Sequence, residues 1–319
     1  MPYLYYSPDF QNHDTGSHPE NRTRLEHVAR GWPAEGIAAG CRLAPFGPAS
    51  REALLRVHGA EHLATLDALA ASGGGKADAD TVVSPCSVEV ARLAAGAACE
   101  ATRKIVAGES TTAFCAVRPP GHHALADRAM GFCLFNNIAV AARLAIDELG
   151  LDRLLVVDWD VHHGNGAQDL FYSDGRVGFF SAHRWPFYPG TGAADETGAG
   201  DGLGATRNLP VSFGTSRDRY LSWFARELAD FADLIRPQLV LVSAGFDSHH
   251  LDPIGSLGLE TEDFADLTRI VLDVAATHAG GRVVSVLEGG YNPPVLAECV
   301  ATHLATLAES EAEAEPPKA

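Results

Sequence analysis

The sequence is poor in several features that define whole classes of protein. Among its 319 residues only 24 are Lys or Arg against 41 Asp or Glu, a formal net charge of −17. A field of that sign repels phosphate, so we expect no nucleic-acid partner. No apolar run approaches the ~18 residues of a membrane span, and the opening MPYLYYSPDF lacks the basic and apolar regions of a signal peptide. These absences predict a cytoplasmic protein with no membrane partner.

The six cysteines are dispersed, and no two form a C-x-x-C pair. This spacing favours reduced thiols over a disulfide scaffold or a zinc ribbon. Internal repeats and Pro/Ser-rich linkers are also missing, and 46% of the residues are hydrophobic, which is enough for a substantial core. We therefore expect one domain over residues 1–307 and a frayed, acidic, disordered tail over residues 308–319.

Short β-rich runs alternate with helical stretches along the chain. The runs lie at residues 111–117, 153–160, 176–182, 237–244 and 281–288. They are too apolar to have a solvated face, as is typical of parallel strands covered on both sides. The clearest helix is predicted from Pro85 to Ala107, with Ser84 as its N-cap and Gly108 past its end. This alternation predicts a single-domain α/β fold, a doubly wound and mostly parallel sheet flanked by helices.

Polar and reactive residues follow four of the five predicted strands. Ligands of open α/β sheets bind outside the carboxyl ends of the strands, so these four ends should meet at one crevice. The residues concerned are His122 and His123, then Asp158, Asp160, His162 and His163, then Gly245, Phe246 and Asp247, and finally Glu288 to Tyr291. A further glycine-rich stretch without periodicity covers residues 184–204, and long loops of this kind inside a compact domain are usually functional.

The run D-x-D-x-H-H at residues 158–163 indicates a metal site. Strand alternation places Asp158, Asp160 and His162 on one face, where two carboxylates beside a histidine would repel each other without a cation. A lone His pair is more often a surface feature, and a lone Asp after a strand often caps the next helix. Together with Asp247, however, Asp160 and His162 give three O/N ligands and leave a position open for water and substrate, as catalytic zinc requires.

Six segments, taken in order, resemble the histone deacetylase family within the arginase/deacetylase fold. They are RPPGHHA, GFCLFNNIAVAA, VVDWDVHHGNGAQDLFY, PGTG, LVSAGFDSHHLDP and LEGGYN, and HPENRTRL near the start resembles the family's opening. The combination of VDWDVHHGNG with LEGGYN is similar to the class II type and to bacterial histone deacetylase-like amidohydrolases. The resemblance extends from residue 18 to about residue 292 and implies a zinc-dependent deacetylase.

The resemblance also implies a role for each matching residue. It places zinc ligands at Asp160, His162 and Asp247 and catalytic residues at His122, His123, Tyr291 and Asp158. It places a structural K⁺ at Asp158, at the backbone oxygens of Asp160, His162 and Ala182, and at the hydroxyl of Ser181. It makes Phe132 and Tyr188 the walls of an acyl-lysine tunnel, with Gly131 and Gly289 beside the substrate. Arg24 would match a basic residue of an internal channel below the site.

The expected chemistry is hydrolysis of an acetyl amide. His123 would be the general base and then protonate the leaving amine, His122 would be held by Asp158, and Tyr291 would donate a hydrogen bond to the oxyanion. Asn165 stands where many class I relatives carry Asp, a change shared with class II relatives, so His123 should be less biased toward its cationic form. The substrate would be an acetylated lysine side chain or a small acetylated amine.

Three alternatives have distinct sequence requirements. An acetylpolyamine amidohydrolase can use an acidic gatekeeper near the metal-binding loop, where this chain has Ile254, so lysine is favoured. An arginase-like ureohydrolase needs carboxylates for a second metal, and this chain has Gly164 and His249 at those places. A non-catalytic metal-binding protein would usually have lost one catalytic group. The O/N/O ligand set alone suits Fe²⁺ as well as Zn²⁺.

Overall fold

The computed structural model describes residues 1–30, 32 and 40–314. Within them the strands are β1 (Tyr3–Tyr5), β2 (Arg42–Leu43), β3 (Gly75–Lys76), β4 (Val82–Val83), β5 (Thr112–Cys115), β6 (Leu154–Asp158), β7 (Val177–Arg184), β8 (Thr206–Val211), β9 (Leu239–Ala244) and β10 (Val283–Leu287). The α-helices are α1 (Thr23–Ala29), α2 (Arg51–Leu55), α3 (Ala60–Ala71), α4 (Ser87–Val106), α5 (Asn137–Asp147), α6 (Asn165–Phe171), α7 (Arg217–Ile235), α8 (Asp263–His278) and α9 (Pro293–Ala314).

Eight of these strands form one parallel sheet. Their order is β2-β1-β5-β10-β9-β6-β7-β8, and every neighbouring pair runs parallel. Every residue of the central strands β5, β6, β9 and β10 is buried, because helices cover both faces. Helix α4 packs on α5, while α1, α9, α8 and α7 contact one another in series. The predicted doubly wound α/β architecture is confirmed.

The strand order brings the predicted site residues to one edge. From β6 the chain proceeds outward through β7 to β8 and then returns to place β9 and β10 between β6 and β5. The carboxyl ends of β5, β10, β9 and β6 therefore lie side by side where the winding direction reverses. In open α/β sheets this reversal is where the binding crevice forms.

Most differences from the sequence-based elements concern ends and edge strands. All five predicted strands exist, although their ends shift by up to a few residues. The short β1 and β2 were not predicted, nor was β8, whose sequence TRNLPV is interrupted by polar residues and a proline, as an edge strand allows. Among the described helices, none is both long and apolar enough to cross a membrane.

The beginning of α4 differs from the prediction. The helix starts at Ser87 rather than Pro85, and its N-cap position is Cys86, so the assignment of Ser84 as N-cap is wrong. Ser84 and Ser87 instead close a turn before the helix. The Ser87 N–H donates to the Ser84 carbonyl at 3.0 Å, and the Ser84 N–H donates to Ser87 Oγ at 2.7 Å.

The C-terminal helix continues beyond the expected domain end. Residues 308–314 belong to α9, which differs from the frayed tail expected there, and residues 315–319 lie outside the described residues. Glu311 is buried, and its Oε1 accepts hydrogen bonds from the N–H groups of Thr111 and Thr112 at 3.1 and 2.7 Å. This carboxylate therefore secures the start of β5. The domain boundary at residue 307 stays a prediction.

We predict that Glu311→Ala lowers the free energy of unfolding by about 2 kcal/mol, because buried N–H and hydroxyl donors at the start of β5 lose a charged acceptor. Urea unfolding followed by circular dichroism measures the change. Glu309→Ala is the matched control, since Glu309 is exposed on the same helix and its removal should change stability by less than about 0.5 kcal/mol. Equal stability of the two variants would show that this end of the chain is dispensable.

Candidate active site and metal centre

Three buried side chains converge at the carboxyl ends of β6 and β9. Asp160 and His162 follow β6, and Asp247 follows β9, the neighbouring strand. One ligand atom from each lies within 4.8 Å of the other two. His162 Nδ1 is 3.0 Å from Asp160 Oδ1 and 3.2 Å from Asp247 Oδ2. Ligands around a tetrahedral Zn²⁺ at ~2.1 Å are separated by roughly 3.4 Å, so the spacing fits one small cation.

The surrounding backbone orients the two carboxylates and leaves one oxygen free. The Gly289 N–H donates to Asp160 Oδ2 at 2.8 Å, and the Val161 N–H donates to Asp247 Oδ1 at 2.8 Å. Asp247 Oδ2 is buried and has no hydrogen-bond partner. A Cβ at position 289 would lie 2.1 Å from that oxygen, so glycine is needed to keep the space. A buried acceptor without a donor, beside a histidine nitrogen and a second carboxylate, fits a divalent metal.

The charges of these groups also favour a cation. Burial and the neighbouring Asp160 raise the pKa of Asp247 to about 7. Burial alone would lower the pKa of His162, but Asp160 and Asp247 raise it to about 9. Two carboxylates in contact cannot both ionise cheaply without positive charge nearby. The centre therefore suits a metal electrostatically as well as geometrically.

The tandem histidines lie next to this centre, with their ring centroids 4.0 Å apart. His122 Nδ1 is 2.9 Å from Asp158 Oδ2. Although burial opposes its charged form, Asp158 and then Asp160 raise the pKa of His122 to about 10. Burial, together with the nearby His122 and His162, holds the pKa of His123 well below its usual range. The site thus combines one charged and one neutral histidine at neutral pH.

The contacts of Asn165 fix the tautomer of His123. The side-chain oxygen of Asn165 lies 2.7 Å from His123 Nδ1, while its amide nitrogen points to the sulfur of Met130 at 3.5 Å. An amide oxygen can only accept, so Nδ1 of His123 carries the hydrogen. Nε2 is then the unprotonated nitrogen of the ring. That is the atom available to take a proton at the active site.

Two aromatic side chains lie close to the centre, and their role as walls of a substrate tunnel stays a prediction. The ring of Tyr188 stands edge-on to His123 at 5.2 Å between centroids, and Phe132 stands edge-on to Tyr291 at 5.6 Å. Phe132 has φ of 70°, a strained conformation for a bulky residue, and such strain is concentrated at functional sites. A Cβ on the neighbouring Gly131 would lie 2.3 Å from His123, so glycine is required there.

Asp252 and Arg24 hold the loop that carries Tyr291 through hydrogen bonds to its backbone. The Tyr291 N–H donates to Asp252 Oδ2 at 2.6 Å. Arg24 is buried and donates to the carbonyls of Gly290 and Glu288 at 2.6 and 2.5 Å, and its guanidinium lies 5.0 Å from the centre of the Tyr291 ring. Arg24 therefore contacts the backbone of the loop that carries Tyr291, and its assignment to an internal channel stays a prediction.

The residues expected to bind potassium lie together beside His122, whose Nδ1 is hydrogen-bonded to Asp158. Asp158 in β6 is paired in register with Ser181 in β7, and Ala182 follows Ser181. The Ser181 hydroxyl lies 2.9 Å from His183 Nδ1. Their role as potassium ligands stays a prediction.

Several polar residues of the site received no role from the sequence. Glu288 is buried, and its Oε2 accepts hydrogen bonds from the N–H groups of Gly121 and His122 at 2.6 and 3.1 Å. Glu288 comes directly after β10, and the rule that functional residues follow the strands of the sheet, which identified the residues after β6, could have assigned it to the site. Asp252 and the buried Glu20 follow no strand; both lie in segments that resemble the family, but the resemblance assigned no role to either residue.

A second group of possible metal ligands lies nearer the surface. It consists of His249, His250 and Glu260, and His250 pairs with Glu260 at 3.1 Å with both side chains more than a third exposed.

The position that would hold a second arginase-type ligand is closed, because a Cβ at Gly164 would lie 2.1 Å from Asp158 Oδ2. The described residues thus contain one buried ligand group with an open side.

Comparison with known proteins agrees with this geometry. The histone deacetylase domain matches residues 18–307. A histone deacetylase-like amidohydrolase of Pseudomonas aeruginosa is 41% identical over 282 residues, covering 88% of this chain and 73% of that protein. A probable deacetylase of Archaeoglobus fulgidus is 37% identical over 91% of this chain and 80% of its own length. The crystal structure of the HDA15 HD domain superposes with a TM-score of 0.90 at 34% identity, covering 97% of this chain and 89% of that one.

We predict that the purified protein binds about one tightly held divalent ion per chain and that Asp247→Ala abolishes this binding, because two remaining ligands cannot retain the ion. Elemental analysis after dialysis measures the content, with circular dichroism to verify folding. His250→Ala is the control and should retain the ion. Full occupancy in folded Asp247→Ala would refute the ligand assignment, and about two ions per chain would support the arginase-like alternative.

Proposed function

The chain belongs to the histone deacetylase family, and on that premise we propose that it is a zinc-dependent deacetylase acting on acetyl-lysine or a related N-acetyl amine. The observation that carries the proposal is the convergence of Asp160, His162 and Asp247 beside one charged and one neutral histidine. A hydrolase of amides needs both features, an electrophilic centre and a base that is free of its proton at neutral pH.

Asp160, His162 and Asp247 would hold the ion that supplies the electrophilic part of the reaction. A Zn²⁺ ion held by Asp160, His162 and Asp247 would polarise the amide carbonyl and acidify a water molecule beside it. The same ligand set also suits Fe²⁺, and the choice of ion in the cell follows from metal supply as much as from affinity.

His123 is the general base and then the general acid. Its Nδ1 hydrogen is engaged by Asn165, so Nε2 takes the proton of the attacking water. The resulting imidazolium then gives that proton to the amine nitrogen as the C–N bond breaks. Because the pKa of His123 is held low by burial and by neighbouring positive charge, it releases the proton readily to the leaving group.

His122 supplies a fixed positive charge beside the base. Asp158 Oδ2 accepts from its Nδ1 at 2.9 Å, which fixes both the ring orientation and the protonation state. The Glu288 carboxylate holds the His122 backbone from the other side. Positive charge at this place stabilises the oxyanion that forms when water adds to the carbonyl.

Tyr291 is the second oxyanion donor. Its backbone is fixed by Asp252, and its ring contacts Phe132 and the Arg24 guanidinium. Burial holds the pKa of the phenol well above its ordinary value, so the hydroxyl keeps its proton and donates a hydrogen bond. Phe132 and Tyr188 would bind the alkyl stem of the substrate, with Gly131 and Gly289 leaving room for the acetamide.

An acetylated polyamine is the second candidate substrate. Burial and then Asp80, Cys133 and Asp78 raise the pKa of Tyr188 while Arg128 lowers it, so negative charge predominates near this ring. Such charge attracts a cationic substrate of either kind. Ile254 offers no carboxylate to select a polyamine, so lysine is favoured.

Two further assignments belong to the proposal. Asp158, Ser181 and the backbone oxygens of Asp160, His162 and Ala182 would hold a structural K⁺, which adds positive charge behind His122. The dispersed and unpaired cysteines support a cytoplasmic location.

We predict that Tyr291→Phe lowers kcat and kcat/KM together by roughly 100- to 1000-fold, because the hydroxyl acts mainly on charge that develops in the transition state. Steady-state kinetics on an acetyl-lysine peptide measure both constants, with metal content and melting temperature as controls. An increase of KM alone would assign the hydroxyl to ground-state binding. A near-normal kcat would refute the mechanism.

We also predict that the metal-loaded protein hydrolyses acetyl-lysine peptides with a higher kcat/KM than acetylputrescine, acetylspermidine or longer acyl-lysines. Product amine is measured for each member of this panel under identical conditions. A preference for acetylspermidine would replace the lysine assignment with the polyamine one. Absence of turnover on the whole panel, with metal bound, would indicate a non-catalytic binding protein.

A further inference from the structure

The loop that carries Tyr188 has little regular structure of its own. We call residues 185–196 the wall loop; it follows β7 and contains several glycines and prolines. Its first residues are anchored by the backbone, since the Trp185 N–H donates to the Val211 carbonyl at 2.8 Å. Tyr188 itself is 37% exposed, so packing alone constrains it weakly. The other end of the wall loop must supply the remaining constraint.

Glu196 closes that other end with its carboxylate. Its Oε1 accepts hydrogen bonds from the N–H groups of Gly192 and Ala193, both at 3.0 Å. Its Oε2 accepts from Gln168 Nε2 at 2.5 Å. The carboxylate therefore folds the wall loop back on itself and ties it to α6, the helix that follows the metal-binding segment. Hydrogen bonds to a charged acceptor are stronger than those between neutral groups.

Gln168 also forms hydrogen-bonding contacts with the segment next to the metal ligands. Gln168 Oε1 accepts from Asn208 Nδ2 at 2.7 Å and lies 3.0 Å from His163 Nε2. His163 Nδ1 in turn lies 2.8 Å from the hydroxyl of Thr191, which belongs to the wall loop. The loop is thus attached once to α6, through Gln168, and once to the β6–α6 connection, through His163. A displacement of Gly192 and Thr191 would be transmitted to Tyr188, three residues before Thr191.

We propose that Glu196 is a positioning residue that sets the place of Tyr188 over His123 and thereby the affinity for the alkyl stem of the substrate. The proposal rests on the proposed function only through the role of Tyr188 as a tunnel wall. Glu196 acts as a hydrogen-bond acceptor for the Gly192 and Ala193 N–H groups. Its effect on the substrate is therefore indirect and passes through the conformation of the wall loop.

Kinetics of Glu196→Ala test the proposal. We expect KM for an acetyl-lysine peptide to rise roughly 5- to 20-fold while kcat changes by less than about threefold, because the stem contact is lost and the catalytic groups stay in place. Glu196→Gln should restore part of the affinity, since its amide oxygen still accepts from Gly192 and Ala193 although its amide nitrogen cannot accept from Gln168. Asp195→Ala is the matched control, an exposed acid of the same loop, and should match the wild type. Equal defects in the Ala and Gln variants would overturn the acceptor role.

A double-mutant cycle separates positioning from general destabilisation. If Glu196 acts through Tyr188, adding Glu196→Ala to Tyr188→Ala should raise KM by no more than about twofold. Additive defects would overturn the proposal. Melting temperatures of all variants show whether the fold is preserved, and a simple loss of folded protein would lower the apparent kcat while leaving KM unchanged.

Amide hydrogen exchange tests the same contact without any substrate. The N–H groups of Gly192 and Ala193 should exchange about tenfold faster in Glu196→Ala than in the wild type, because their acceptor is gone. Unchanged exchange would overturn the proposal even if the enzyme is active. If the wild type hydrolyses no N-acetyl amine, the proposed function fails, and faster exchange would still establish the loop contact.

Discussion

Four carboxylates are buried at the ends of three neighbouring strands, and the repulsion among them is the constraint that shapes the site. They are Asp158, Asp160, Asp247 and Glu288. Burying each costs several kcal/mol unless donors or cations compensate. Backbone N–H groups compensate Asp160, Asp247 and Glu288, and His122 compensates Asp158. Asp247 Oδ2 and Glu288 Oε1 remain without a donor; a metal held at Asp247 would satisfy the first of them, and its binding should stabilise the fold.

A second buried charge cluster holds the neighbouring loop. Glu20 accepts two hydrogen bonds from Arg118 and one from Arg24, and all three side chains are buried. A buried ion pair adds little net stability, but it fixes geometry because the partners cannot separate without leaving a charge unpaired. Arg24 uses its other nitrogens on the carbonyls of Glu288 and Gly290. Through these hydrogen bonds the cluster restrains the turn that directs Tyr291 toward the crevice.

The sequence predicts those residues of the site whose place follows from their position directly after a strand. Buried strands are apolar runs, and the residues after them must meet at one edge, so Asp160, His162 and Asp247 could be located without coordinates. Contacts between distant segments could not be predicted. Glu311 is an ordinary acid in an acidic tail until its hydrogen bonds to residues about 200 positions earlier are known. Glu196 is equally unmarked, because its partners are backbone N–H groups whose direction depends on the loop conformation.

The two histidines differ in protonation because their hydrogen-bond partners differ, since the two side chains are chemically identical. Two imidazole rings 4.0 Å apart cannot both be positively charged without a large repulsion, so the pair holds one positive charge at neutral pH. Asp158 is an anion, and it draws that charge to His122. Asn165 is neutral and its oxygen can only accept, so it orients His123 and stabilises the imidazolium less than a carboxylate would. A carboxylate in place of Asn165 would compete with Asp158 for the proton and leave the base partly protonated. In the proposed mechanism the amide would leave His123 free to accept a proton and would let its protonated form return that proton to the departing amine.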